Sequence, residues 1–424
     1  MNLEEIDVAI IGLGYVGLPL AVELAQQRPV IGFDIDLDRV SDLTQGIDCT
    51  KEVDSQKLLS ATNLKLTSDI SVIGSANFYI ICVPTPLTAE NEPDLSILRK
   101  ATEMVGSVLN HGDVVVFEST VYPGCTEEEC VPILEQTSGL LFNVNFFCGY
   151  SPERVNPGDK TRGIPNVKKI TSGSTPEIAS LVDELYRTIV LAGTVKVSSM
   201  QVAEAAKVIE NVQRDLNIAL VNELSMIFKQ MNLDTREVLE AAATKWNFIL
   251  FYPGLVGGHC IGVDPYYLTY KARAIGLDTN VIAAGREVNS SMGSFIASSL
   301  LNCLKRRSIA SEGAKVLIMG ISFKENCPDI RNSGVLSLLN ILRDVGCLVD
   351  LYDPLVNEQE AKRLFGTHLI HCIEINYYEV IIIAVGHDEF KRLGIDKIRS
   401  FGREGNIVFD LKGLFPTVDT DFRL

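Results

Sequence analysis

The stretch Val8-Ala9-Ile10-Ile11-Gly12-Leu13-Gly14-Tyr15-Val16-Gly17 decides the fold of the first part of the chain. Its apolar start predicts a buried parallel strand, and the periodicity of residues 18–24 predicts a helix directly afterwards. In such a turn Gly12 bends the chain, Gly14 admits a pyrophosphate and Gly17 lets the helix pack on the strand. The pattern predicts a dinucleotide site, with a plain strand-to-helix turn as the alternative.

The next apolar strand, residues 30–33, ends in Asp34. A carboxylate at this distance hydrogen-bonds the adenosine ribose hydroxyls and repels a 2′-phosphate, so the sequence predicts NAD rather than NADP. Arg39 is expected either beside the adenosine or on a solvated helix face. The other predicted cofactor contacts lie in the turn and in loops after later strands: Tyr15, Val16, Pro84, Thr85, Pro86, Ser119 and Thr120.

Further apolar segments at 78–83, 114–118 and 142–148 alternate with helical stretches, which predicts a parallel sheet. Ligands of such sheets bind beyond the carboxyl ends of the strands. The loops after the first two segments, residues 84–86 and 119–124, are therefore expected to border the cofactor.

The middle of the chain predicts one long helix. The capping-box-like Ser198-x-x-Gln201 opens a stretch with few helix breakers that extends to about Met231, which corresponds to a helix of roughly 50 Å. Such a helix suits a spine between domains and a dimer contact. Strand and helix patterns resume at four later segments: 315–320, 348–352, 380–385 and 407–409. Only Gly320 stands where the first part has three glycines, so we expect a ligand other than a dinucleotide there.

The predicted fold class is therefore α/β, with two Rossmann-like, doubly wound parallel-sheet domains joined by a central helical region with a long spine helix. The predicted boundaries are 1–197 for the NAD-binding domain, 198–307 for the helical domain with a cysteine loop and a dimer contact, and 308–424 for the second Rossmann-like domain. A chain of 424 residues is long enough for each part to have its own core.

Composition narrows the class of protein. The net charge of −16 argues against nucleic acid or an anionic membrane as a partner, because both require clustered positive charge. With no signal peptide before the first strand and no bilayer-length apolar run, we expect a cytoplasmic protein. Ten cysteines without a Cys-x-x-Cys pair predict reduced thiols. His368 and His371 flank apolar residues and are predicted to be structural, so no metal site is expected.

Cys260 carries the most specific chemical signal, in the run Gly257-Gly258-His259-Cys260-Ile261-Gly262-Val263-Asp264-Pro265. A thiol in a chain that also binds a nicotinamide suggests oxidation through a thioester. Oxidation of a primary alcohol to an acid takes two hydride transfers, and a covalent adduct retains the aldehyde between them. A small buried thiol in a glycine-rich turn is the alternative.

Six motifs in order complete the sequence pattern. They are Gly12-x-Gly14-x-x-Gly17, Ser151-Pro152-Glu153-Arg154, Ala203-Glu204-Ala205-Ala206-Lys207-x-x-x-Asn211, the Cys260 loop, Ser322-Phe323-Lys324 and Asp329-Ile330-Arg331. With this set the chain resembles the UDP-glucose/GDP-mannose dehydrogenase family along nearly its whole length. Within the family, residues 244–248 and 253–268 are most similar to bacterial enzymes that act on UDP-N-acetylhexosamines for capsule, Vi-type or O-antigen polysaccharides.

The resemblance implies oxidation of the sugar C6 through a Cys260 thiohemiacetal and thioester, with two NAD⁺ per sugar. Lys207 and Asn211 are implied to stabilise the oxyanion, and Asp264 to accept the alcohol proton through a water. Glu153 and Thr120 are implied to assist thioester hydrolysis. Judged from the residues alone, each position has a structural alternative. These are a solvated face with a Glu204–Lys207 ion pair, a helix N-cap for Asp264, a Glu153–Arg154 salt bridge and a turn hydroxyl for Thr120.

The resemblance also implies a set of substrate contacts and places Arg331 near the NAD. The substrate set is Glu153, Arg154, Lys207, Asn211, Tyr252, Gly254, Gly257, Phe323, Lys324 and Lys412. For Lys324 and Arg331 a surface cation is the alternative. Two departures from the family concern substrate choice: Pro157 replaces a second glutamate, and Lys412 replaces an arginine fork by a point charge.

Three alternative functions stay open. The nearest is a UDP-glucose 6-dehydrogenase, which would prefer the sugar without the acetyl group. A two-electron hydroxyacid dehydrogenase would make one NADH per substrate and would not need Cys260. A decayed nucleotide-binding protein would bind NAD without turnover. The expected partners are a UDP-sugar and a second copy of the chain through the central helix.

Overall fold

The computed structural model describes residues 2–153, 162–258 and 261–424. The chain forms two compact units. The first contains Met1–Glu210 and Tyr266–Leu277, and the second contains Asn211–Pro265 and Asp278–Leu424. The boundaries expected after residues 197 and 307 stay a prediction.

The first unit is built on an eight-stranded sheet in the order β3-β2-β1-β4-β5-β6-β7-β8. Neighbouring strands are parallel except β6 and β7, which are antiparallel. The order of the first six is that of dinucleotide-binding Rossmann sheets. The strands are β1 Val8–Ile11, β2 Val30–Phe33, β3 Leu64–Thr67, β4 Phe78–Ile81, β5 Val114–Phe117, β6 Phe147–Tyr150, β7 Lys169–Gly173 and β8 Thr194–Lys196.

The second unit is built on a five-stranded, all-parallel sheet in the order β10-β9-β11-β12-β13. This is also a doubly wound order, in which the direction of winding changes between β9 and β11. The strands are β9 Lys315–Met319, β10 Leu348–Tyr352, β11 Tyr378–Ile383, β12 Gly402–Asp410 and β13 Phe422–Arg423.

Fourteen α-helices occur among the described residues. They are α1 Gly17–Ala25, α2 Leu37–Thr44, α3 Ser55–Ser60, α4 Ile70–Ile73, α5 Ser96–Gly106, α6 Val131–Ser138, α7 Pro176–Arg187, α8 Met200–Gln230, α9 Thr235–Ala242, α10 Asp264–Ala274, α11 Asn280–Arg306, α12 Val335–Asp344, α13 Glu358–Phe365 and α14 Asp388–Arg399. All residues of β1, β4 and β5 are buried, because helices cover both faces of a doubly wound sheet. Their continuous apolar runs follow from that burial. No described helix is both long enough and apolar enough to cross a membrane.

The predicted fold class is confirmed. The strand expected at 142–148 begins later, at Phe147, because Asn143 turns the chain at a positive φ of 59°. The central helix α8 has 31 residues, or about 46 Å at 1.5 Å per residue. Its first turn is capped one residue later than expected, since the Ser199 hydroxyl accepts the N–H of Val202 at 3.2 Å.

Candidate active site

The glycine turn after β1 has the geometry that a dinucleotide requires. Gly12 has a φ of +93°. A Cβ on Gly17 would lie 1.9 Å from the Gly12 carbonyl oxygen, so the first turn of α1 can approach the backbone of Gly12 this closely only because residue 17 has no side chain. A Cβ on Gly14 would meet nothing within 4 Å. The open space above Gly14, at the N-terminus of α1, fits a pyrophosphate group.

Asp34 and Arg39 both hold this turn. Asp34 accepts the N–H of Leu13 at 2.8 Å, beside the position where the sequence predicts the adenosine ribose. Arg39 donates through Nε and Nη2 to the Leu13 carbonyl at 3.1 and 2.8 Å and pairs with Asp48 at 2.8 Å. It is only 9% exposed, so the solvated alternative for Arg39 is wrong.

The loops after β4 and β5 are tied to each other, as expected for two loops that border one ligand. The Ser119 hydroxyl donates to the Val83 carbonyl at 2.6 Å, and the Thr85 hydroxyl donates to the Thr120 carbonyl at 2.7 Å. Tyr267 on α10 donates to the Thr85 carbonyl at 2.9 Å. These bonds orient the backbone around Thr120, the residue that the family resemblance assigns to hydrolysis.

Glu204 on α8 has a structural role that the sequence did not predict: it holds the loop that follows β5. Its fully buried carboxylate accepts the N–H of Gly124 at 2.5 Å and both the N–H and the hydroxyl of Thr126, at 3.0 and 2.6 Å. Burial raises the pKa of Glu204 to about 7. The solvated face with a Glu204–Lys207 pair, which was the alternative for this part of α8, is wrong for Glu204. A glutamate among alanines on a helix was the available signal.

Lys207 and Asn211 lie one turn apart on α8 and are 6% and 5% exposed. The Asn211 amide donates to Asp264 at 2.6 Å. Asp264 is fully buried at the first position of α10. Two residues that were predicted to act on the same sugar carbon are therefore in direct contact. The second N–H of the Asn211 amide is available to a further acceptor.

Cys260, with His259, and Arg154 lie outside the described residues. The glycines before Cys260 are closely packed within the second unit. A Cβ on Gly257 would lie 2.6 Å from the Asn332 carbonyl, and one on Gly258 would lie 2.6 Å from the Phe323 ring. Phe323, predicted to contact substrate, therefore packs directly on the backbone that leads to the cysteine.

The Ser322-Phe323-Lys324 loop is held by a buried histidine that sequence reasoning missed. His387 Nδ1 accepts the N–H of Asn326 at 2.9 Å, so Nε2 carries the proton and lies 3.2 Å from both Ser322 Oγ and Asp353 Oδ2. The Ser322 hydroxyl donates to the Lys324 carbonyl at 2.9 Å. This loop is thus oriented from β10 and β11.

Gly254 is held by a second chain of buried polar groups. Asn222 on α8 donates to the Gly254 carbonyl at 3.1 Å and accepts its N–H at 2.8 Å. Asn222 also donates to Asn289 at 2.8 Å, and Asn289 donates to Asp215 at 2.8 Å. The sequence signal for this hydrogen-bond network was a pair of polar residues, Asp215 and Asn222, two turns apart on α8.

Lys412 lies beside Gly254, because its Nζ is 3.6 Å from the position that a Cβ on Gly254 would take. Arg236 on α9 donates to the Gly413 carbonyl at 2.6 Å, and its guanidinium lies 4.6 Å from the centre of the Tyr252 ring. The structure therefore brings Tyr252, Gly254 and Lys412 together. Arg236, which sequence reasoning missed, orders this corner.

Glu153 and Arg331 have charged partners. Glu153 lies 3.7 Å from the buried ammonium of Lys169, which is an ion-pair partner within the first unit. Arg331 forms a bidentate pair with Asp329, at 3.0 Å from Nε and 2.6 Å from Nη2, within the second unit. The predicted contact between Arg331 and NAD stays a prediction.

Together these features define a class: an oxidoreductase with a glycine-turn dinucleotide site on one doubly wound sheet and a second doubly wound sheet of different ligand specificity. Comparison with protein families names it. Residues 6–190 match the NAD binding domain of the UDP-glucose/GDP-mannose dehydrogenase family, residues 201–291 its central domain and residues 317–417 its UDP binding domain. The chain belongs to this family, and it is an NAD-dependent nucleotide-sugar dehydrogenase.

Relatives agree over the full length. The chain is 53% identical over 423 residues to the UDP-N-acetyl-D-glucosamine 6-dehydrogenase of Salmonella typhi, with 100% of both chains covered. It is 53% identical over 422 residues to the protein of the same name from Pseudomonas aeruginosa, again with 100% of both covered. Among solved structures, a UDP-D-ManNAc dehydrogenase from Pyrococcus horikoshii superposes with a TM-score of 0.89 at 32% identity, covering 98% of each chain.

Proposed function

We propose that this chain oxidises the C6 hydroxymethyl group of a UDP-N-acetylhexosamine to the carboxylate, for surface polysaccharide biosynthesis. The observation that carries the proposal is the 53% identity, over the full length of both chains, to two relatives named UDP-N-acetyl-D-glucosamine 6-dehydrogenase. UDP-N-acetylglucosamine is therefore the first substrate to test, and UDP-N-acetylgalactosamine and UDP-glucose are the competitors.

In the first oxidation the alcohol loses a proton and a hydride and becomes an aldehyde. When bound, NAD⁺ accepts the hydride in each of the two oxidations. We assign the proton to Asp264 through an intervening water, since Asp264 is a buried carboxylate already oriented by Asn211. The Lys207 cation and the second N–H of Asn211 stabilise negative charge on the C6 oxygen.

In the second oxidation the Cys260 thiolate adds to the aldehyde, and the resulting thiohemiacetal loses the second hydride to give a thioester. Water then attacks the thioester carbon, the C–S bond breaks, and the acid and the free thiol are released. We assign Glu153 and Thr120 to this hydrolysis, with the Thr120 backbone held in place by Thr85. The overall reaction consumes two NAD⁺ and one water per sugar.

Stoichiometry tests this route. With limiting UDP-N-acetylglucosamine, the native protein is expected to release two NADH per sugar, and Cys260→Ser is expected to block the second oxidation or the release of acid. Cys372→Ser, at an exposed free cysteine, is the matched control and should turn over normally. Release of only one NADH per sugar by the native protein, or full turnover by Cys260→Ser, would contradict the thioester route. Ranking kcat/KM for the three sugars separates the acetylhexosamine proposal from a UDP-glucose 6-dehydrogenase.

We also propose a homodimer through α8. Four apolar side chains on this helix are between 44% and 55% exposed: Val202, Ile209, Leu220 and Ile227. Their spacings of 7, 11 and 7 residues place them on one face at 3.6 residues per turn. An apolar stripe of this kind on a long helix is typical of a subunit interface, because water contact is unfavourable for it.

The dimer is tested by light scattering after gel filtration. Ile209→Glu is expected to shift the native protein from dimer towards monomer, because it places a charge in the centre of the stripe. Leu191→Glu makes a similar apolar-to-acidic change at an 83%-exposed position that is not part of α8, and it should leave the mass unchanged. A native protein that elutes as a monomer would exclude the interface.

The cytoplasm is the proposed location. All nine described cysteines are free thiols, a state that a reducing compartment maintains. Thiol titration of unfolded protein purified without reductant is expected to detect all ten cysteines of the chain. A titre two or more thiols short would indicate a disulfide and argue for an oxidising compartment.

A further inference from the structure

A buried lysine lies at the carboxyl edge of the first sheet. Lys169 is the first residue of β7, and because β7 runs antiparallel to β6, its first residue lies where the parallel strands end. Its side chain is 4% exposed. None of the predicted roles includes Lys169, although a lysine is seldom buried without a specific partner.

The Lys169 ammonium donates hydrogen bonds to residues at the ends of two strands, β5 and β6. It donates to Glu118 Oε2 at 2.9 Å, to the Ser151 carbonyl at 3.3 Å and to the Pro152 carbonyl at 3.2 Å. An ammonium has three N–H donors, so these acceptors use all of them. Glu118 directly follows β5, and Ser151 and Pro152 follow β6 and lead into Glu153.

Other charged and titratable groups complete the cluster. Glu153 Oε2 lies 3.7 Å from the ammonium. The hydroxyl of Tyr186 donates to Glu118 Oε1, and the ammonium lies 4.8 Å from the Tyr186 ring centre. Burial raises the pKa of Tyr186 and of the nearby Cys82, which keeps both neutral. One ammonium therefore faces two carboxylates.

The protonation of Glu118 depends on this lysine. Burial raises the pKa of Glu118 to about 7, and the charge of Lys169 opposes that rise. Burial alone would lower the pKa of Lys169, but the charges of Glu118 and Glu153 outweigh it and its pKa is raised. Lys169 thus stays charged near neutral pH and remains a donor to Glu118 and to the two backbone carbonyls.

We propose that Lys169 is a positioning residue for thioester hydrolysis, which fixes the Ser151-Pro152 backbone so that Glu153 faces the attacking water. The proposal rests on the proposed function. Simple neutralisation of Glu118 would need one contact, whereas two of the three donors go to the carbonyls directly before Glu153. Through Glu118, the same ammonium also joins this segment to the strand end that carries Thr120.

The test separates positioning from charge balance. Lys169→Met alone leaves the Glu118 carboxylate buried without a cation and is expected to fold poorly. The double variant Glu118→Gln with Lys169→Met removes both charges, and Glu118→Gln alone is its matched control. Rapid-mixing measurement of NADH, with native protein, NAD⁺ and UDP-N-acetylglucosamine, then distinguishes the oxidations from hydrolysis.

In the double variant we expect a fast burst of two NADH per site followed by turnover slowed about 100-fold, the range lost with a general base. Glu118→Gln and Lys169→Arg should keep most of the native turnover and show no such burst. Turnover of the double variant at the rate of Glu118→Gln, or equal slowing of its burst and turnover, would overturn the positioning role. If the native protein itself releases no NADH, the proposed function fails instead.

Discussion

The two sheets carry the same turn at the same place and use it differently. Gly12 donates to the Phe33 carbonyl at 2.9 Å, and Gly320 donates to the Tyr352 carbonyl at 2.8 Å. Both glycines have positive φ, +93° and +88°. In each sheet, the carboxylate after the second strand accepts the amide of the residue next to the glycine, at 2.8 Å for Asp34 and 2.8 Å for Asp353.

The two turns differ in the segment that the chain enters after the glycine. After Gly12 the chain enters α1 at Gly17, which leaves an open helix N-terminus beside a partly exposed Asp34. After Gly320 no helix begins until Val335, and Asp353 is 6% exposed beneath His387. The same frame therefore offers a phosphate site in one sheet and an ordered loop in the other. This agrees with the family's NAD binding and UDP binding domains.

The largest effect is expected from closing the first turn. Gly17→Ala places a Cβ 1.9 Å from the Gly12 carbonyl oxygen, and the backbone cannot yield without moving α1. We expect loss of NAD binding and destabilisation by about 3 kcal/mol or more, the upper range for overpacking. Thermal unfolding and NAD titration measure both.

The matched substitution at Gly14 distinguishes a glycine that the packing of the protein requires from one that the ligand requires. A Cβ there meets no protein atom within 4 Å, so Gly14→Ala should have the same Tm as the native protein. Its affinity for NAD should nevertheless fall, because the added methyl group occupies space that the pyrophosphate needs. Native NAD affinity in Gly14→Ala would show that the pyrophosphate does not lie above this residue.

A middle-sized effect is expected at the second turn. His387→Ala removes the acceptor for the Asn326 N–H and the donor to Asp353, so the Phe323–Lys324 loop loses two buried hydrogen bonds that orient it. Loss of one or two such bonds corresponds to about a 10- to 100-fold rise in KM for the UDP-sugar. The affinity for NAD, measured by direct titration, should stay native.

Partial replacements sharpen this result. His387→Asn keeps an acceptor near the position of Nδ1, and His387→Gln keeps a donor near that of Nε2. Each is expected to restore part of the UDP-sugar affinity. Equal weakening of NAD and UDP-sugar binding in all three variants would mean that His387 supports the fold in general.

The sequence predicted the first turn more fully than the second because its chemistry is local. Gly12, Gly14, Gly17 and Asp34 lie within 23 residues, and each residue type follows from backbone space or charge. His387 reaches Ser322 across 65 residues, which no local pattern indicates. The predicted sheet and α8 are confirmed since long apolar or helical periodicity is a strong signal.

Strand direction was the other feature beyond prediction. The segment Lys169–Gly173 has no marked alternation, and whether such a short strand runs parallel or antiparallel is decided by its tertiary partner. Without that direction Lys169 could not be placed at the carboxyl edge beside Glu118. Burial of Glu204 was hidden for a similar reason, because its partners Gly124 and Thr126 lie about 80 residues away.

The smallest expected effect concerns pH, because each unit has a buried carboxylate and the two pKa shifts have opposite directions: upward for Glu204 and downward for Asp353. Burial raises the pKa of Glu204 from 4.5 to about 7, so its contribution to stability is full below pH 4.5 and is lost as pH rises through 7. Burial would also raise the pKa of Asp353, but its hydrogen bonds from His387, Ile321 and Leu355 outweigh burial and lower that pKa below its ordinary value. Asp353 therefore loses its contribution only in stronger acid.

Between pH 5 and 8 only Glu204 of this pair changes its charge, with a slope of up to about 1.4 kcal/mol per pH unit. The native Tm should therefore fall over this range by about 2–6 °C more than that of Glu204→Gln, which cannot titrate. Asp353→Asn is the control, since it should lower Tm by the same amount at both pH values. Equal slopes for the native protein and Glu204→Gln would show that Glu204 stays ionised, held by its three donors from Gly124 and Thr126 rather than governed by burial.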